Sequence, residues 1–330
     1  MANYRHHIGN ALLVLIALVV GIVLAEGAAQ VYAYKVAKLG KLFRPDHELG
    51  WSLLPNLDLV RNNHDREPWL TRTDENGLRG PSRFSEDASR RMLILGDSFV
   101  FGEGVNIEER FDTLITERFP DLSIVNLGVM GYGTDQQAIR LRAWKDQLRS
   151  GDLVLVLTYS NDFFDVASTR HSGRSKPWFA LEEGELVEYG PSIGILEQVR
   201  DRSYLLAKLA GLINVNDQKD YETRLARAGE LYERIVADEI AGLTDEGIEV
   251  LLVHHGDHVF DMPFDVDEVF VKTCAHVTSC LALDPYTATL PRDEIFLSDG
   301  HWAAGGHKVA AERIGDHLAA RFNPRTAKAD

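Results

Sequence analysis

From Arg91 onward, short apolar runs alternate with amphipathic stretches at helical spacing, and no other feature of the chain restricts its fold as much. Met92 to Leu95 is apolar throughout, as a strand buried on both faces requires. Ile107, Phe111, Leu114 and Ile115 follow at helical spacing, with Asn106 and Glu109 placed as a capping pair. A second strand is predicted over Leu122 to Leu127, a helix through Ala138, Leu141, Trp144 and Leu148, and a third strand over Leu153 to Thr158. Leu231, Ile235, Ile240 and Leu243 mark a helix that stops at Gly247, and Ile248 to His254 reads as a fourth strand. The last helix opens near Gly305 and shows Ala310, Ile314, Leu318 and Phe322 at every fourth position. Strands joined by helices of this length imply right-handed parallel crossovers, hence a three-layer open sheet with helices on both faces. Ligands then belong at the carboxyl ends of the strands.

The segments outside this alternation suggest how the chain is divided. Arg44 to Arg91, punctuated by Pro45, Pro55, Pro68 and Pro81, reads as irregular or short-stranded, with a turn at Asn76-Gly77. Phe163 to Arg227 is longer than a crossover requires and is expected to form a cap, with a hairpin around Glu183-Gly184 and one or two short helices within Ile195 to Leu212. The resulting partition is an N-terminal segment and stalk over 1–43, a lead-in over 44–90, and a main domain over 91–330 whose cap occupies about 163–228.

At the N-terminus, Ile8 to Ala25 is almost wholly apolar and is preceded by Arg5, His6 and His7, which suits a spanning helix or a signal-peptide core. Both are export signals. Small residues at Val23-Leu24-Ala25 and Gly27-Ala28-Ala29 resemble cleavage sites, whereas the length of the run favours an anchor. Lys35, Lys38, Lys41 and Arg44 follow it, so positive charge is not confined to one side. The expectation is a single pass through the inner membrane with the bulk on the periplasmic or extracellular side, or a secreted protein if the segment is removed. A net charge of −15 excludes nucleic acid as a partner, because no surplus of Lys and Arg exists to replace phosphate counterions. Cys274 and Cys280, five residues between them, either pair or remain buried thiols.

Four short segments carry the chemistry. Gly96-Asp97-Ser98 directly follows the first strand, where a serine is ordinarily a helix cap. Asn126 to Gly133 follows the second strand and supplies Gly128, Gly131 and Gly133, which permit a backbone amide to approach a ligand closely. Ser160-Asn161-Asp162 follows the third, so the Asn161 amide can offer a second N–H to the same space. Asp299-Gly300-His301-Trp302 precedes the last helix, and a carboxylate beside an imidazole fixes its tautomer and stabilises the imidazolium. Each segment alone has an ordinary structural reading. Together they supply a nucleophile, oxyanion donors and an oriented base at one sheet edge.

At these residues, over roughly Arg91 to Phe322, the sequence resembles the SGNH (GDSL-like) hydrolase superfamily. The resemblance implies a flavodoxin-like sheet and an ester-cleaving Ser/His/Asp hydrolase with Ser98 as nucleophile, His301 as base and Asp299 as orienter. It also implies an oxyanion hole made by the Ser98 amide, the Gly131 amide and the Asn161 side chain, with Gly128 the competitor to Gly131. The departure falls on Asp299: the widespread spacing is Asp-x-x-His, and the Asp-x-His-Trp form here is similar to branches linked to polysaccharide acetylation.

No cofactor is implied. His254, His255, Asp257 and His258 are read as a solvated rim in preference to a zinc site, and Asp162, Asp165 and Asp261 as caps or rim charges in preference to calcium ligands. Trp178 and Phe179 either shape a pocket or belong to the cap core. The expected substrate is an acylated glycan or lipid of the cell envelope. Acyl transfer to a glycan hydroxyl by the same triad, and a catalytically silent binding protein on the same fold, are the competing readings.

Overall fold

The computed structural model describes residues 2–32, 42–62, 67–194, 203–206, 218–255, 261–283 and 290–322. Contacts gather the chain into two units, one made of Met1–Lys41 with Gly194–Asn214 and the other of Leu42–Ile193 with Val215–Asp330. In the smaller unit, helix α1 (Ala2–Val31) contains an apolar portion, Asn10–Val31, with mean hydropathy 2.7 and no burial by protein. At 1.5 Å per residue it extends about 33 Å, enough for a bilayer core. By length and composition it is a membrane anchor or a signal sequence. Within the same unit, the Glu26 carboxylate accepts hydrogen bonds from the Ser203 hydroxyl at 2.8 Å and the Tyr204 N–H at 2.8 Å. The helices expected within Ile195 to Leu212 otherwise lie outside the described residues.

The larger unit opens with two hairpins, β1 (Phe43–Asp46) with β2 (Gly50–Leu53) and β3 (Asp58–Arg61) with β4 (Trp69–Arg72). The turn at Asn76-Gly77 is closed by Asp74, whose carboxylate accepts from the N–H groups of Asn76 at 2.9 Å and Leu78 at 2.8 Å. Then come β5 (Arg90–Leu95), α2 (Ser98–Phe101), α3 (Phe111–Arg118), β6 (Leu122–Asn126), α4 (Thr134–Arg142) and β7 (Leu153–Thr158). The cap follows as α5 (Asn161–Ala167), β8 (Arg170–His171), β9 (Arg174–Ser175), β10 (Trp178–Glu182), β11 (Glu185–Tyr189) and α6 (Gln218–Leu225). The chain closes with α7 (Ala228–Ile235), β12 (Glu249–His254), α8 (Val266–Cys274), β13 (Ser279–Ala282), α9 (Arg292–Ile295) and α10 (Ala304–Phe322).

Five of these strands form one parallel sheet in the order β13-β12-β7-β5-β6. Counted along the sequence this is 2-1-3-4-5, the doubly wound order of flavodoxin-like folds, and its switch point lies between β5 and β7. Side chains alternate between the two faces, as the pleat requires. Met92, Ile94, Leu153, Leu155, Leu251 and Val253 meet α3 and α10 on one face, while Leu93, Leu95, Val154, Val156, Val250 and Leu252 meet α4 and α7 on the other. Both faces are covered, which is why the strands read as continuous apolar runs.

The fifth strand, β13, is absent from the sequence reading because it has four residues, lies at the sheet edge and is only partly buried. It carries Cys280, which forms a disulfide with Cys274 at the end of α8 across a Cα–Cα distance of 5.8 Å. The chain turns between the two cysteines, so pairing replaces the free-thiol alternative. The helix expected to end at Gly247 does so, with Gly247 at φ +74°, but it widens into a π turn over Val236–Ile240 and tightens over Ala241–Glu246. In the cap, Glu183 and Gly184 both have positive φ in a two-residue hairpin turn. Trp178 stacks on Tyr189 at 4.2 Å beneath Arg224, and Phe179 is buried, so both aromatics belong to the cap core.

Buried imidazoles give the larger unit a pH dependence. His307 is enclosed against Phe111 and Trp302, its Nδ1 faces the Phe111 N–H at 3.4 Å, and burial holds its pKa down to about 3. Burial also pushes His255 well below the usual 6.5. As pH falls from 6.5 toward 3, the unfolded chain takes up protons that folded His307 refuses, so stability decreases through that window. The slope is up to about 1.4 kcal/mol per pH unit for each imidazole. Urea midpoints of the detergent-solubilised chain are expected to fall less steeply between about pH 6 and pH 4 for His307→Gln than for the unsubstituted protein. Equal slopes would refute this assignment.

Candidate active site

The turn after β5 sets the position of Ser98. Asp97, itself buried, accepts the Phe99 N–H at 2.9 Å and so caps α2, placing Ser98 at the first helical position beside the sheet switch point. Behind this turn, the Arg79 guanidinium of the lead-in donates to the carbonyls of Phe101, Gly102 and Val105 and fixes the exit from α2. Ser98 is 8% exposed, and its hydroxyl lies 2.9 Å from His301 Nε2.

His301 reaches this place from a tight turn after α9. Leu297 and His301 are joined by a 2.7 Å backbone hydrogen bond, and Gly300 takes φ +86° to close the loop. The next residue is the anchor. Trp302 is 1% exposed and packs edge-on to Phe99 and Phe111 while stacking on His255 at 5.0 Å. Asp299 Oδ1 stands 3.1 Å from His301 Nδ1, and the same oxygen faces the His301 main-chain N–H at 3.3 Å. The carboxylate lies off the hydrogen-bonding direction of Nδ1, so the pair is an electrostatic contact and not an aligned hydrogen bond.

The glycine loop and the start of α5 complete the arrangement. Gly131 takes φ +76° and lines the same cavity as Ser98 and His301. Gly128 does not: its N–H donates to Asn126 Oδ1 at 2.9 Å, and a Cβ there would stand 2.5 Å from the Phe101 nitrogen. Of these two glycines, Gly131 is the one that lines the cavity. Asn161 Nδ2 donates to Asp97 at 2.8 Å and makes a longer contact of 3.4 Å with Asp165. Desolvation raises the Asp97 pKa, with the hydrogen bonds from Asn161 and Phe99 acting in the opposite direction.

The cavity has a volume of about 310 Å³ and is walled by Phe43, Trp51, Met130, His171, Ser172 and Arg174 besides the four residues already named. The lead-in thus builds part of it. Trp51 donates to the Met130 carbonyl at 3.2 Å, and the Tyr132 hydroxyl returns a hydrogen bond to the Trp51 carbonyl, which ties β2 to the glycine loop. Two larger concavities, of about 390 and 600 Å³, border α3 and hold no nucleophile paired with an imidazole.

Three readings made from the sequence change or narrow. His254 and His255 are buried and pack among aromatic rings, so they form no solvated rim, while Asp257 and His258 lie outside the described residues. Of the two readings of Asp162, it fits the cap at the start of α5 and not the rim charge. It is buried and accepts the Tyr159 N–H and the Gln137 amide, each at 2.9 Å, while burial and the neighbouring Asp97 charge raise its pKa. Asp165, also buried, holds His171 Nδ1 at 2.8 Å, a pair that no local pattern joins. Asp261 is exposed.

No family model matches this chain, and no curated protein does. Among solved structures, it is similar to a member of the lipolytic protein G-D-S-L family from Veillonella parvula, at 13% identity over 68% of this chain and 96% of that one, with TM-score 0.40. It is also similar to the psychrotrophic esterase EstA from Pseudoalteromonas, at 12% identity over 71% of this chain and all of that one, with TM-score 0.38. A third is Axe2, an acetylxylan esterase from Geobacillus stearothermophilus, at 14% identity over 69% and 93%, with TM-score 0.38. Fold and site together define an α/β/α protein with a serine–imidazole pair at the carboxyl edge of its sheet.

Proposed function

We propose that this protein is a serine esterase of the SGNH hydrolase superfamily, anchored by α1, with its larger unit on the periplasmic or extracellular side. It removes acetyl or short acyl groups from a glycan or lipid of the cell envelope. One observation carries the reading: Ser98 Oγ and His301 Nε2, 203 positions apart in sequence, lie 2.9 Å apart. A cavity of about 310 Å³ is at the small end for ligand sites, which suits a short acyl group.

In this reading Ser98 Oγ attacks the ester carbonyl as its proton passes to His301 Nε2. The carbonyl oxygen becomes an oxyanion facing the N–H groups of Ser98, Gly131 and Asn161. Collapse of that intermediate breaks the bond to the alcohol, which leaves with the proton from Nε2. Water then attacks the acyl-enzyme and gives one proton to His301, which passes it to Ser98 Oγ as the carboxylic acid leaves. Asp299 stabilises the imidazolium at both stages, while Asp97 positions Asn161. The Asn161 N–H held by the 3.4 Å contact is the one that turns toward substrate. Asn161→Ala is expected to lower kcat on an activated ester by about a hundredfold or more. A change under about threefold would remove Asn161 from the oxyanion hole.

The test is acetate release from an O-acetylated oligosaccharide by the full chain in detergent, with and without an unacetylated acceptor. Free acetate that appears with Ser98 intact and disappears in Ser98→Ala supports hydrolysis. Acetylated acceptor without free acetate would replace hydrolysis by transfer, and neither product would sink the reading.

A further inference from the structure

We infer that His171 and Asp165 form a second imidazole–carboxylate pair that binds a hydroxyl on the alcohol side of the ester, so that the site selects sugar-like alcohols over alcohols without hydroxyl groups. The inference rests on the esterase reading and specifies its substrate class.

His171 lies in the cap, in β8, yet it lines the same cavity as Ser98 and His301. Its Nδ1 is 2.8 Å from Asp165 Oδ1, and a carboxylate can only accept, so Nδ1 carries the hydrogen. In the neutral ring Nε2 is then an acceptor. That edge of the ring lies over Gly131: a Cβ built on Gly131 would stand 2.6 Å from Nε2. The other oxygen of Asp165 is the one 3.4 Å from Asn161 Nδ2, so the carboxylate that orients the second imidazole also borders the amide assigned to the oxyanion hole. The indole of Trp51 supports the ring from a centroid distance of 5.7 Å. The His171 side chain is 36% exposed, open to an incoming molecule.

Chemistry decides what Nε2 can take. The carbonyl oxygen of the ester is an acceptor and gains nothing from another acceptor. An acetyl or similar unsubstituted acyl group has no polar hydrogen. The donor must then come from the alcohol portion of the substrate, where glycans supply hydroxyl groups in quantity. An imidazole that serves only to pin β8 to α5 would make no such distinction between substrates.

The experiment compares kcat/KM for an O-acetylated oligosaccharide with kcat/KM for 4-nitrophenyl acetate, whose leaving group carries no further hydroxyl, using the full chain in detergent. In His171→Phe, which keeps a ring over Gly131 but removes the acceptor, the ratio of oligosaccharide to nitrophenyl activity is expected to fall at least about tenfold, chiefly through KM. His171→Gln, which restores an acceptor oxygen, is expected to recover part of the ratio. An unchanged ratio in His171→Phe would overturn the inference and leave the esterase reading standing, as would hydrolysis of the nitrophenyl ester alone by the unsubstituted protein. Absence of Ser98-dependent turnover of either ester would overturn both.

Discussion

Ser98→Ala is expected to lower turnover of an acetyl ester by at least about a thousandfold, because losing the nucleophile of a serine hydrolase removes the covalent route and leaves only the contribution of the oxyanion donors. The loss should be chemical and not structural. The Ser98 hydroxyl makes its hydrogen bond to His301, while α2 is capped by the neighbouring Asp97, which the substitution leaves in place. Stability is therefore expected to change by about 1 kcal/mol or less. Initial rates on 4-nitrophenyl acetate, with urea midpoints measured alongside, check both parts. A folded Ser98→Ala protein retaining more than about a tenth of the activity would place the nucleophile elsewhere.

The largest effect on stability is expected from Lys176→Ala. The Lys176 ammonium is wholly buried and forms an ion pair with Asp135 of α4, also wholly buried, while donating to the carbonyls of Asp165 at 3.0 Å, Ser168 at 3.2 Å and Pro177 at 3.0 Å. Burial raises the Asp135 pKa, and the charge of Lys176, its ion-pair partner, opposes that rise. Removing the Lys176 ammonium leaves the Asp135 carboxylate buried without its ion-pair partner, with only the Gln136 N–H still donating to it, and takes a donor from three carbonyls, at a cost of about 3–5 kcal/mol. The double substitution Lys176→Met with Asp135→Asn is expected to recover a large part of that loss, since no charge is left unpaired. Ser168 and Lys176 bracket β8, so hydrogen exchange around His171 should accelerate with the single substitution. Urea midpoints of the single and double variants provide the check, and a single-variant loss below about 1 kcal/mol would contradict the assignment.

Most of the sheet was legible because its three inner strands, β5, β7 and β12, are buried on both faces and carry unbroken apolar runs, and β6 at the edge is apolar at Leu122, Ile124 and Val125. β13 was not: it has only four residues, Ser279 to Ala282, lies at the sheet edge and is only partly buried, so no long apolar run marks it. The lead-in showed its prolines and its Asn76-Gly77 turn, but short paired strands such as β1 and β2 draw their stability from the glycine loop beneath them, which no local pattern records. Within the site, Ser98, Gly131, Asn161 and His301 stood out as blocks following strands or preceding the last helix, and the structure brings them to one cavity. The side-chain partnerships stayed hidden. Nothing local says that Asp97 turns to Asn161, or that His255 turns inward onto Trp302. Asp165 and His171 are six residues apart across a helix end and a loop, and only the path of the cap brings them together. The direction of Asp299 relative to the imidazole likewise depends on the conformation of Gly300.

These features converge on one claim, that Ser98 is a nucleophile activated by His301. Treating the folded full-length chain with a fluorophosphonate and locating the adduct by mass spectrometry tests it directly. The expected result is one covalent adduct per chain, on the peptide containing Ser98, absent in Ser98→Ala and strongly reduced in His301→Ala. A folded protein that takes no adduct, or takes it on a different residue, would contradict the claim.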